Sequence, residues 1–234
     1  MSAVAGGSVG LLDHIIWRSL SGTQAPFSSG TSQARRYAPG FSPIIAFADA
    51  ARPDFAALEP YCEPGEHFYC LARSGAAPAG WQIDGETTLL SMLWAGAAPA
   101  SDELPGAVRL DTQHVPQMLE LVALTRPGPY GPRNIELGEY FGCFEGPRLV
   151  AMAGERLCAG PLREISAVCT HPDFRGRGLS RGLMALLIRR EMARGETPFL
   201  HVTAGNTEAR RLYQRMGFER HAEMHAQVLS RKPR

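Results

Sequence analysis

The chain has 234 residues, 24 lysines and arginines against 23 acids, a formal net charge of +1 and 44% hydrophobic residues. That length buries an ordinary core as one large domain or two small ones. The near-neutral balance removes any global field that would recruit nucleic acid or an anionic membrane, so an anion site has to be local.

Along the first hundred residues, Pro43 to Phe47 and His67 to Leu71 read as strands, with a helix between them over Pro53 to Leu58 and proline in its first turn. Two apolar runs flank Asp84-Gly85, a pair that reads as a hairpin turn. The stretch AGAAPASDELPG, from Ala95 to Gly106, lacks periodicity and reads as a linker. Beyond it the spacing predicts a strand over Ala107 to Leu110. A helix follows Asp111 or Thr112, with Val115, Met118, Leu119 and Val122 on one face and a stop before Pro127. A second helix is expected near Ile135 to Tyr140, then strands over Tyr140 to Phe144 and Arg148 to Gly154. Glu164 to Thr170 is β-branched enough for a buried strand.

Immediately after it stands HPDFRGRGLSRGLM, residues 171–184, which gathers arginines and glycines and then turns apolar. Leu179, Leu183, Leu186 and Leu187 share a helical face and Gly195 suits the far cap, so Gly178 lies where a helix begins. The unpaired N–H groups and positive dipole end of a helix start hold anions, and glycines let phosphate oxygens approach the backbone. With Arg175 and Arg177 beside it, this reads as a pyrophosphate cradle. It is neither a P-loop nor a Rossmann GxGxxG turn.

The pattern Q/R-x-x-G-x-G/A, met here by Arg175, Gly176, Arg177, Gly178, Leu179 and Ser180, resembles the acyl-coenzyme A loop of the GNAT superfamily of N-acetyltransferases, with serine at the last position. A second family pattern, N-x-x-A-x-x-x-Y-x-x-x-G-F, falls on Asn206, Ala209, Tyr213, Gly217 and Phe218, after the strand Phe199 to Thr203. The resemblance covers Ala107 to about Leu229 and looks closest to the glycine N-acyltransferase-like branch. It implies an α/β protein with a mixed sheet and a GNAT domain over residues 107–234. Residues 1–106, a smaller α/β segment whose order of strand, helix and strands resembles a partial GNAT domain, would shape or cover the acceptor cleft, or else form an independent small domain on a tether.

The resemblance further implies direct transfer of acetyl from acetyl-CoA to a primary amine of a small molecule or peptide, with no metal. Val168, Cys169 and Thr170 would meet pantetheine through their backbone, and Asn206 would lie beside the cofactor. Tyr213 would protonate the leaving sulfur, although Ala209, Leu212, Tyr213 and Met216 also form an apolar stripe in which it could simply pack. Glu164 would act as base on the amine, or else form a surface pair with Arg163. Tyr130, Glu136 and Glu139 fall in the region that lines acceptor sites.

Other readings are weaker in chemistry. Cys169 with His201 as base could form an acyl-enzyme, but nothing activates the thiol. His221, Glu223 and His225 alternate on a strand face without a fourth metal ligand. Arg181, Arg189 and Arg190 extend the basic patch, yet a nucleic-acid module would add a net basic domain and stacking aromatics. An acyl-CoA sensor without catalysis is the remaining alternative. No apolar run is long enough for a membrane span, the first residues lack signal-peptide character, and the five cysteines form no CxxC pair, so a cytoplasmic protein with reduced thiols is expected. Oligomeric state stays open, a homodimer among the options.

Overall fold

The computed structural model describes residues 10–100 and 104–233. Its strands are β1 (Ser28–Gly30), β2 (Ala34–Tyr37), β3 (Ile44–Phe47), β4 (His67–Leu71), β5 (Trp81–Trp94), β6 (Val108–Arg109), β7 (Tyr140–Glu145), β8 (Arg148–Ala159), β9 (Leu162–Thr170), β10 (Thr197–Thr203) and β11 (Phe218–Arg231). The helices include α1 (Ile15–Ser21), α2 (Phe55–Leu58), α3 (Val115–Thr125), α4 (Leu179–Ala193) and α5 (Thr207–Met216). Helix starts follow local chemistry. Asp54 accepts the Ala57 N–H to cap α2, and Asp111 forms a capping box with His114 in the 3-10 turn that leads into α3. Asn206 accepts the Ala209 N–H at 3.1 Å to open α5. No helix among the described residues is long and apolar enough to cross a membrane.

All the strands join one sheet in the order β1-β2-β3-β4-β11-β5-β10-β9-β8-β7-β6. Only β3–β4 and β9–β10 are parallel; the other neighbours are antiparallel. The order shows an exchange. β5, from the first half, lies between β10 and β11, while β11, from the second half, lies between β4 and β5. The β5–β11 pairing runs from Trp94↔Phe218 to Trp81↔Arg231. Leu183, Leu187 and Ile188 of α4 and Tyr213 of α5 pack with Leu90, Met92, Leu200 and Val202 on one face. On the opposite face α1 packs with Phe199 and Leu157, and α3 packs with Ala167 and Cys169.

Three expected elements differ. Asp84-Gly85 makes no hairpin: β5 runs straight through, and the pair sits at a register shift where Val228 meets Gly85 and Leu229 meets Ile83. A glycine inside a strand often marks such a bulge, and the long partner β11 holds both runs in one strand. The helix near Ile135 to Tyr140 is instead a 3-10 turn, Pro132–Glu136. Pro53 precedes the Asp54 cap of α2 rather than lying in its first turn. The interval from Ala95 to Gly106 has no helix or strand where it is described, residues 101–103 lying outside the described residues, and Leu104 packs onto the α4 cluster.

Candidate active site

Pairing of β9 with β10 stops at Glu164↔Phe199, and beyond that point the two parallel strands separate. The cause lies in β9. Cys169 pairs with Met152 and Ser166 with Gly154, so Ala167 and Val168 together oppose Ala153. Ala167 takes φ 53°, a left-handed conformation that an alanine adopts only when its surroundings hold it there. This bulge bends β9 away from β10. The resulting cleft has a volume of about 800 Å³ and is lined by Ile165 to Thr170, Leu200 to Thr203, Asn206 and Tyr213.

At one end of the cleft a 3-10 turn, Pro172–Phe174, leads to Gly176 and Gly178, both at φ 77°, and Gly178 caps the start of α4. A Cβ added to either glycine would meet nothing within 4 Å, so both peptides face open space. Arg175, Gly176, Gly178, Leu179 and Ser180 line the cleft. The Arg177 guanidinium instead stacks on the Phe174 ring, 4.7 Å from its centroid. Ser180 supplies a hydroxyl 2.7 Å from Thr170 Oγ1, tying the end of β9 to the first turn of α4. Arg181 and Arg215 also line the cleft.

Tyr213 lies at the cleft wall with its ring edge-on to Phe218. Burial, then the neighbouring Cys169 thiol, pushes its phenol up to about 12, so it keeps its proton throughout the neutral range. Burial likewise pushes the Cys169 thiol up to about 11, which removes the thiolate that an acyl-enzyme would require.

Glu164 differs from both sequence readings. It is 1% exposed, and its carboxylate is gripped by Arg156, whose Nε and Nη2 each donate at 2.8 Å. A bulge in β8 builds the pair: Arg156 and Leu157 together oppose Glu164, and the Leu157 N–H also donates to Oε2 at 3.3 Å. Burial alone would raise the Glu164 pKa, but the Arg156 charge and hydrogen bonds with the His201 bond outweigh it and hold the carboxyl well below the usual range. Arg163, the expected surface partner, pairs with Glu196 at 2.6 Å. His201 Nδ1 lies 2.8 Å from Glu164 Oε1, and the imidazole lines the cleft.

Sequence reasoning missed Arg156 and gave His201 only a role beside Cys169. The legible signal was weak: an arginine inside a buried run and a histidine two residues beyond the position that pairs with Glu164. Tyr130 lines the cleft as expected. Glu136 is taken up by Arg133, and Glu139 by Arg190 and Arg194, so neither is a free substrate contact. His221 bonds Asp13 and His225 bonds Glu86, and no metal-holding group of three or more such side chains exists among the described residues.

The first half completes the wall. Ile44, Tyr69, Leu71, Thr87 and Leu89 line the same cleft as the glycine turn.

Residues 140–226 match the model of the FR47-like protein family. The N-alpha-acetyltransferase RimI of Mycobacterium tuberculosis is 32% identical over 120 residues, covering 48% of this chain and 75% of the relative. A GNAT-family protein from Novosphingobium aromaticivorans superposes with a TM-score of 0.87 at 35% identity, covering 95% of this chain and 99% of the other. A GCN5-related N-acetyltransferase-like protein from Streptococcus suis shares the fold, with a TM-score of 0.61 at 19% identity over 93% of this chain and 92% of its own.

Proposed function

Because this chain belongs to the GNAT family of N-acetyltransferases, we propose that it moves an acetyl group from acetyl-CoA directly to a primary amine of a small molecule or peptide. One observation carries the reading: the split between β9 and β10 opens onto a glycine turn at the start of a 15-residue helix, with Tyr213 on the same wall. The site fits the cosubstrate. Gly176 and Gly178 leave space where a pyrophosphate would approach, Arg175 adds charge, and the edge of β9 over Val168, Cys169 and Thr170 has lost its parallel partner and offers its backbone to pantetheine. Leu179, Ser180 and Asn206 flank that path, and Arg177 contributes long-range charge from its place on Phe174.

Acetyl-CoA supplies the activated acyl carbon and a thiol leaving group. The chain's task is to align it with the amine, exclude water and handle protons. Tyr213 holds its proton at neutral pH and gives it to the departing sulfur. Residues of the first half shape the acceptor end of the cleft, so residues 1–106 and 107–234 act as two halves of one catalytic unit. An α-amino group is the first acceptor to try, since the relative RimI is an N-alpha-acetyltransferase. A place near the glycine N-acyltransferase-like branch and a cytoplasmic setting belong to the same reading.

The test is an assay of the full chain with acetyl-CoA, longer acyl-CoAs and a panel of amines, amino acids including glycine, and peptides. Released thiol and the mass of the product are followed. Thiol release that depends on the amine, with the acetylated amine as product, is expected. Failure with every amine, while coenzyme A still binds, would reduce the chain to an acyl-CoA binder.

A further inference from the structure

His201 is buried, its side chain only 5% exposed, and its two nitrogens differ. Nδ1 faces Glu164 Oε1 at 2.8 Å, whereas Nε2 has no hydrogen-bond partner among the described residues. The tautomer follows from the partner. Arg156 keeps Glu164 ionised, an ionised carboxylate only accepts, and therefore Nδ1 carries the hydrogen and, in the neutral imidazole, Nε2 the lone pair. A buried lone pair without a partner is costly, and here it belongs to a residue that lines the cleft.

Position agrees with the chemistry. His201 and Phe199 share one face of β10, their rings edge to face at 5.7 Å. Leu200 and Val202 point to the other face, where they pack with Tyr213. Phe199 in turn packs with Ile16, Ile44, Tyr69 and Leu71, so His201 stands on the side of the sheet built by the first half. Tyr213 and His201 thus reach the split from its two faces.

We propose that His201 is the general base of the acetyl transfer, with Glu164 and Arg156 as positioning residues behind it; this rests on the reading of the cleft given above. His201 Nε2 takes one proton from the acceptor ammonium and passes it to water after turnover. The freed amine forms the new C–N bond as the thioester C–S bond breaks. The nitrogen's second proton is lost as the amide forms, and it balances the proton that Tyr213 gives to sulfur. Per turnover, ammonium and thioester become amide, thiol and one released proton. Glu164 fixes the tautomer and stabilises the imidazolium. Among the described residues, the buried phenols of Tyr37 and Tyr140 also act on Arg156 and Glu164, and both are pushed upward by burial and so stay neutral.

The test uses the full-length protein, acetyl-CoA and the most active amine found for the wild type, with His201→Gln and His201→Asn compared after thermal melts establish that each is folded. Loss of a general base is worth about 10²–10⁴-fold, so kcat/KM for the acceptor is expected to fall by that order at neutral pH while calorimetric coenzyme A affinity is retained. The defect closes toward high pH, where the amine sheds its proton unaided, and it shrinks with amines of low basicity. Glu164→Gln removes the charge that favours the imidazolium, so the acid limb of kcat/KM moves to lower pH, a shift that a merely structural role would not produce. Activity undiminished in both His201 variants, or a defect equal at every pH and for every amine, overturns the base. Absence of transfer by the wild type overturns instead the reading of the site on which the proposal rests.

Discussion

Glu164 and Glu191, both buried, sit in opposite surroundings. Glu164 is ion-paired and hydrogen-bonded, and its folded pKa is depressed; its stabilising contribution is present above the ordinary glutamate range and is lost as pH falls through the folded value. Glu191 on α4 is fully buried with neither carboxylate oxygen bonded among the described residues, and burial, then the Glu155 charge, raises its pKa well above the ordinary value. It favours folding while protonated, and that advantage is lost as pH rises from the ordinary range toward the folded value. Glu191→Met keeps the volume and removes the unsatisfied group, so it is expected to raise stability by about 1–3 kcal/mol near neutral pH and to flatten the decline toward alkaline pH. Urea melts across pH check this; an unchanged pH slope would show that Glu191 finds partners in solution. For Tyr213, Tyr213→Phe keeps the packing against Phe218 and removes only the donor. Turnover is expected to drop about 10²-fold or more with little change in coenzyme A affinity, read by steady-state kinetics beside calorimetry.

At the scale of elements, the glycine turn and α4 work as one piece. Gly178 sits at φ 77° with open space in front of it, so a side chain there meets no clash but carries roughly 1–2 kcal/mol of backbone strain. Gly178→Glu is therefore expected to remain folded at a modestly lower melting temperature. Its carboxylate would stand where an incoming phosphate is attracted, and coenzyme A binding should be lost. Gly178→Asn, which tolerates the left-handed conformation, should retain most of the affinity. Calorimetry on both variants decides, and coenzyme A bound equally well by the glutamate variant would dismiss the cradle. The Thr170–Ser180 bond belongs to this scale too: the serine that departs from the family pattern ties β9 to α4 and so helps to fix the width of the split.

For the whole molecule, exchange of β5 and β11 decides what can be separated. Removing residues 1–106 would take β5 from between β10 and β11, leave both with unpaired edges, and uncover the apolar side chains of Phe199 and Leu157 that α1 covers. Residues 107–234 alone are therefore expected to aggregate. The two halves produced together as separate chains, divided within residues 101–103, are expected to co-purify and bind coenzyme A, because the interlocked strands survive the cut. Gel filtration with a coenzyme A titration checks both. A soluble, coenzyme A-competent 107–234 chain would show that the exchanged strand is dispensable.

Local chemistry was legible in the residues themselves. Gly178 at a helix start, Asn206 and Asp111 as caps, the apolar stripe of α4 and the β9 strand all follow from interactions spanning a few residues, and the two motifs built on them sufficed to indicate the family. Long-range pairing was not legible. The Asp84-Gly85 pair has the chemistry of a hairpin turn, and only β11, some 140 residues later along the chain, keeps β5 extended through it. Glu164 carries the same carboxylate whether it faces water or a core. The bulge in β8 brings Arg156 to it, and the β9–β10 register, which sets Glu164 opposite Phe199, places His201 beside it, so that the carboxylate is held by these two side chains. Local chemistry in the chain was enough for the glycine turn, the helix caps and the family. Only the tertiary structure settled which strands interlock and which imidazole nitrogen of His201 is left without a partner among the described residues, because both depend on backbone register between segments far apart in the chain, and register leaves no local trace in composition or spacing.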